Sequence, residues 1–154
     1  MVVAALSDEY LDSLPPLVDE FSSTHHFLRF RDVYWSSLRE WLGQRLKDEN
    51  TLTLTAKVGG TLVGFGLATI QDHGPLLAPE RIGYVSLIVV ARESRRSGVG
   101  GALWNGMHEW FLAQGIRDVE LYTEVGNALS TAFWERRGLA AFLERRRRHL
   151  TEGP

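Results

Sequence analysis

The chain has 154 residues, 44% of them hydrophobic, with 17 Lys and Arg against 19 Asp and Glu and no cysteine. That is enough apolar material for one domain with a real core, and too much for a disordered chain. A formal net charge of −2 gives no electrostatic reason to expect nucleic acid or an anionic membrane, and the missing thiols exclude disulfides, thiolate metal sites and an acyl-cysteine intermediate.

Met1–Leu6 is too short for a signal h-region and lacks basic residues, and no apolar run is long enough to span a bilayer. The expectation is a single cytoplasmic domain over 1–154. Val2–Leu6 reads as a strand, and Ser7 as the N-cap of a helix with Asp8 and Glu9 in its first turn. That helix, carrying Tyr10, Leu11 and Leu14, breaks at Pro15-Pro16 and resumes with Leu17, Val18 and Phe21 inward. After the polar break Ser22–His26, a second helix spans about Asp32 to Lys47, with Val33, Trp35, Leu38, Trp41, Leu42 and Leu46 near helical spacing and both tryptophans in the core.

From Thr51 the period becomes two. Leu52, Leu54, Ala56 and Val58 alternate with polar residues up to a Gly59-Gly60 hairpin turn, and the return strand runs from Thr61 to Gln71. Gly64 and Gly66 within it point to a bend or a close backbone approach. Arg81–Val90 is a strand buried on both faces towards its end. The helix from Gly98 to Gln114 has Val99, Leu103, Trp110 and Phe111 on one side and a natural stop at Gly115. Val119–Thr123 reads as a strand, Asn127–Arg137 as a helix ended by Gly138, and Leu139–Leu150 as a strand finishing in Arg145–Arg148. The fold class is therefore α/β: an antiparallel meander joined to a parallel βαβ pair with a right-handed crossover, and helices on both faces.

The chemistry concentrates where the strand ending at Val90 passes through Arg95-Arg96-Ser97-Gly98-Val99-Gly100-Gly101 into a helix. Such a turn offers unpaired backbone N–H groups and positive charge to an anion, most often a phosphate. A dinucleotide fingerprint would need glycine at position 103, which is Leu103, and a P-loop would need a Gly-Lys pair, which is absent. Helix capping alone explains one of the three glycines, not all.

Arg95-x-x-Gly98-x-Gly100 resembles motif A of the GNAT superfamily of N-acetyltransferases, Q/R-x-x-G-x-G/A, with Val90 at the hydrophobic position before the loop. Asn127 to Leu139, which contains Phe133-Trp134-Glu135 and Gly138-Leu139, is similar to that family's second signature, Asn…Phe-Tyr-Glu-x-x-Gly-Phe, at the usual distance. The resemblance covers nearly the whole chain. It implies acetyl-CoA as donor, with its pyrophosphate on Ser97, Gly98, Val99, Gly100 and Gly101, charge from Arg95 and Arg96, main-chain contacts from Ile88 and Val90, and a contact from Asn127. As a plain N-cap, Asn127 reads equally well.

The family's tyrosine acid is replaced by Trp134, whose indole N–H has no accessible proton to give. Ser130 shares a helix face with Asn127 and Trp134, so it or a water takes that role. Tyr84, Ser86 and Tyr122 stand where relatives carry Glu, His or another carboxylate, and Glu124 is the best titratable candidate for a base, with a solvated surface acid as the plain alternative. His25-His26 falls in the acceptor-shaping region, where a loop pair without a role is the default; no metal site is expected. The four arginines read as a solvated edge strand or a dimer contact rather than a nucleic-acid site. The resulting expectation is transfer of acetyl to a small-molecule or peptide primary amine, with homodimerisation open, against the alternative of an acyl-CoA-binding module without turnover.

Overall fold

The computed structural model describes residues 1–25 and 34–148, so His26, Asp32 and Val33 lie outside the described residues, as does the end of the final expected strand. One five-stranded sheet follows chain order: β1 (Val2–Ala5), β2 (Thr51–Val58), β3 (Thr61–Asp72), β4 (Arg81–Val90) and β5 (Val119–Glu120). The first three junctions are antiparallel and β4–β5 is parallel, as a βαβ unit demands. Gly59 and Gly60 turn the hairpin with φ of +57° and +85°, values open to glycine at little cost.

One face of the sheet carries a 3-10 turn (Asp8–Ser13), α1 (Pro15–Ser23) and α2 (Tyr34–Arg45), and the other carries α3 (Val99–Ala113) and α4 (Ala128–Glu135). The proline pair splits the first expected helix: Pro15 opens α1, where its missing N–H costs nothing. Ser7 precedes the 3-10 turn but makes no capping bond; its hydroxyl donates to Glu9 Oε1 at 3.1 Å. On α2, Leu42 is fully buried, with Trp35, Leu38 and Leu46 beside it. Trp41 departs from expectation. It lies about 100° around the helix from Leu42, 36% exposed, with the Arg45 guanidinium 5.1 Å above its ring.

Val99, Leu103, Trp104, Met107 and Phe111 form the buried face of α3, each worth roughly 1.5–3 kcal/mol. Trp110 sits half-buried at the flank instead. Glycines let this helix lie close on the sheet: a Cβ on Gly64 would stand 2.8 Å from Val99 Cγ1, and one on Gly83 2.6 Å from Phe111 Cε1. The helix ends in a Schellman motif, with Ile116 N–H on the Phe111 carbonyl (2.9 Å), Gly115 N–H on that of Leu112 (3.1 Å), and Ile116 and Phe111 both buried.

Two expected strands are cut down. β5 stops at Glu120 instead of reaching Thr123, after pairing only Gly83 with Val119 and Tyr84 with Glu120. Its partner causes this. Leu67 pairs with Leu87 but Ala68 with Val85, so Ser86 is an extra residue in β4, a bulge that bends the strand away from β5. Residues 139–148, expected as a strand, form none. The edge they would need ends at Glu120, and their four arginines resist pairing; Phe142 and Leu143 are left 65% and 79% exposed. No helix among the described residues is long and apolar enough to cross a membrane.

Candidate active site

The bulge at Ser86 sets the geometry of the site. Ala91 N–H bonds the Val63 carbonyl at 2.9 Å, so in the alternating ladder residues 87, 89 and 91 direct their main-chain groups to β3. Ile88 and Val90 direct theirs to the other side, where β5 no longer pairs. A gap therefore opens between β4 and β5, with strand main chain as one wall.

The same strand leads through a 3-10 turn (Arg92–Ser94) to the start of α3. No side chain caps α3: Gly98 stands at the N-cap with φ of +90°, and the first ladder bond is Ala102 N–H to the Gly98 carbonyl at 3.0 Å. The N–H groups of Val99, Gly100 and Gly101 thus have no intrahelical acceptor, and they lie at the positive end of the helix. A Cβ on Gly98 would meet nothing within 4 Å, while one on Gly100 would come within 3.7 Å of Val90 Cγ2. The uncapped helix end and the end of β4 stand side by side. The Ser97 hydroxyl donates to the Ser94 carbonyl and braces the turn.

The glycines have different reasons. Gly98 supplies the left-handed conformation and open space. Gly100 and Gly101 admit α4, since Cβ atoms there would lie 3.2 Å from Phe133 Cε2 and 3.1 Å from Arg137 Nη2. The second signature therefore packs directly on the first. Arg137, which the sequence reading missed, donates to the Phe133 carbonyl at 2.8 Å with its Cζ 3.5 Å from that ring's centroid. Burial, then the Arg136 charge, pulls its pKa below the usual arginine value. Its four-residue spacing from Phe133 was the available signal.

The two expected arginines separate. Arg95 is half-buried and ion-paired to Glu20 of α1, whereas Arg96 is exposed with φ of +63°, an unusual conformation for a residue with a side chain. Asn127 caps α4, its Oδ1 accepting from Ser130 N–H at 3.1 Å, and Ser130 stands half-buried beside it. Trp134 is a core residue, 8% exposed and edge-on to Trp104 at 5.4 Å between centroids.

Tyr84 and Tyr122 meet where the strands part, ring centroids 5.8 Å apart, with Arg145 Cζ 5.4 Å from the Tyr122 ring. Burial, then Tyr122 and Glu120, pushes the Tyr84 phenol up, partly offset by Arg145. Tyr84 is thus a hydrogen-bond donor at neutral pH. Folding favours its protonated form, so this contribution to stability is complete below about pH 10 and is lost as pH rises further. The tyrosinate absorbance of wild type should exceed that of Tyr84→Phe by less than half a tyrosine at about pH 10 and approach a full tyrosine only at higher pH. Tyr122 and Glu124 lie beyond the end of β5, and the Glu124 carbonyl accepts the Asn127 N–H at 3.0 Å. His25 closes α1, its Nδ1–H donating to the Phe21 carbonyl at 2.8 Å. Arg146 pairs with Glu144 at 2.9 Å on the surface.

The fold is shared with solved acetyltransferases. An aminoglycoside antibiotic 6'-N-acetyltransferase from Acinetobacter haemolyticus superposes with TM-score 0.80 at 17% identity, over 99% of this chain and 100% of that one. A ribosomal-protein-alanine N-acetyltransferase from Brucella melitensis biovar Abortus 2308 gives 0.72 at 19%, over 97% and 100%. An aminoglycoside acetyltransferase from an uncultured soil metagenome gives 0.70 at 15%, over 99% and 96%. No curated protein matches the sequence. The profile of the Acetyltransferase (GNAT) family matches residues 14–139, which takes in both signatures, the meander and the β4–α3 turn. The chain belongs to the GNAT family of acetyltransferases.

Proposed function

We propose that this protein transfers an acetyl group from acetyl-CoA to a primary amine by direct attack. The observation that carries the reading is the uncapped N-terminus of α3 standing beside the stretch of β4 main chain that β5 does not pair, with open space over Gly98. These residues fit a long molecule with a diphosphate at one end and amide groups along its arm. Val99, Gly100 and Gly101 donate N–H groups to the diphosphate, and Arg96 and Arg137 supply the charge. Ile88 and Val90 bond the amide-bearing arm, and the Val90 N–H polarises the carbonyl under attack. Acetyl-CoA contributes the activated thioester.

Tyr84 and Tyr122 orient the amine or a water that takes its proton, with Glu124 as the titratable group of this end. Ser130, or a water on it, protonates the leaving thiolate in place of the family's tyrosine. Trp134 takes no part in the proton transfer and packs as core. Relatives named for aminoglycoside and ribosomal-protein-alanine acetylation support an amine acceptor.

Calorimetry with acetyl-CoA, followed by thiol release across a panel of small amines and peptides, tests the reading. Binding in the micromolar range with release for some acceptor is expected. Absence of binding sinks it, and binding without release for any amine replaces it with an acyl-CoA-binding module.

A further inference from the structure

We propose that Glu20 is a positioning residue for the anion loop, holding Arg95 against the end of β4 and away from the phosphates. The inference rests on the acetyl-CoA reading above. Arg95 bridges three elements. It leaves the loop before α3, its Nε–H donates to the Val90 carbonyl at 3.3 Å, and its Nη2 bonds Glu20 Oε1 on α1. The Val90 carbonyl belongs to the main chain turned towards the gap, so Arg95 braces the wall on which the amide-bearing arm would lie.

Glu20 is itself fixed. It follows Leu17 and Val18, which are 4% and 2% exposed and lock α1 to the core under β4. The two charged side chains are only 34% and 25% exposed, so solvent screens the pair less than it would a fully exposed one. With its charge balanced by Glu20, Arg95 adds little to the field at the α3 N-terminus. Arg96 and Arg137 have no carboxylate partner among the described residues, and they carry the positive potential instead.

The consequence separates Arg95 from a phosphate ligand. An arginine touching the diphosphate would matter only for ligands that have one, whereas a brace on Val90 matters equally for the arm alone. Dissociation constants of acetyl-CoA and of S-acetylpantetheine, which lacks the phosphates, are measured by calorimetry for wild type, Glu20→Gln, Arg95→Gln and the double variant Glu20→Gln with Arg95→Gln. Circular dichroism confirms folding, and Arg95→Lys stands in where Arg95→Gln fails to fold. Each single variant should weaken both ligands by about tenfold and leave the wild-type preference for acetyl-CoA intact, and the double variant should lose no more than either single one. Loss confined to acetyl-CoA in Arg95→Gln overturns the proposal by making Arg95 a phosphate ligand. Unchanged constants in both single variants overturn it by reducing the pair to a contribution to stability. Wild type that binds neither ligand, seen before any variant is made, removes the acetyl-CoA reading and this inference with it.

Discussion

Gly98→Trp should lower acetyl-CoA affinity by about a hundredfold or more while the protein still folds. Gly98 stands at φ +90° at the N-cap with nothing within 4 Å of its added Cβ, so a large side chain has room to exist there and, next to the Val99, Gly100 and Gly101 N–H groups, is expected to compete with the proposed diphosphate for space. Two charge-assisted hydrogen bonds lost at about 1.5 kcal/mol each give about 3 kcal/mol, which is that hundredfold. The fold pays separately. A side chain in the left-handed region costs about 1–2 kcal/mol, a fall of roughly 2–8 °C in Tm for a chain of this size. Gly98→Ala separates the two effects, since it carries the backbone cost and leaves the space open. It should lose the same few degrees and keep affinity within a few-fold. Equal affinities for Gly98→Trp and wild type would take the anion away from this turn.

Gly83→Val should be strongly destabilising. Gly83 lies under α3 and is the β4 residue that pairs with Val119; its N–H bonds the Asp118 carbonyl at 2.9 Å. An added Cβ would lie 2.6 Å from Phe111 Cε1, and Phe111 is 1% exposed with no solvent side to move into. Overpacking of a closed core costs about 3 kcal/mol, or roughly 10 °C in Tm, and the two γ-methyl groups push it higher. Thermal unfolding checks the magnitude. Gly83→Ala combined with Phe111→Leu should recover much of the loss suffered by Gly83→Ala alone, because the clash lies with that ring. Independent, additive losses would place the strain elsewhere.

The meander, its glycine hairpin and the two helix layers were legible because they rest on local signals: the period of two from Thr51, the turn at Gly59-Gly60, and the glycine stop at Gly115. A glycine inside a strand, as at Gly64, points to a bend or a close approach, and α3 lies against it. The failures are non-local. Nothing around Val119–Thr123 says that β5 ends early, since the cause is the extra residue Ser86 in the neighbouring strand. Near-helical spacing groups Trp41 with the core positions of its helix, yet its ring lies at the surface under Arg45. Within the site, the loop was visible as glycine and arginine at fixed spacing. The division of labour among its cations was not. Arg95 is neutralised by a carboxylate 75 residues earlier in the chain, and Arg137 reaches Gly101 from the turn after α4.

The Ser86 bulge leaves the peptide groups of Ile88 and Val90 turned away from β3 and unpaired by β5, with the Val90 carbonyl taken by Arg95. Peptide groups are the same in every residue type except proline. A binding wall built from them is indifferent to which side chains point away from it, and those side chains are free to change provided they still fill the two cores. Mutation can then rewrite nearly every position while the wall keeps its donors and acceptors, in the manner of a lock cut into the frame of a door rather than into its panels. The residues with least freedom are those that place the frame: the extra residue in β4, the glycines under α3, and the left-handed turn at Gly98.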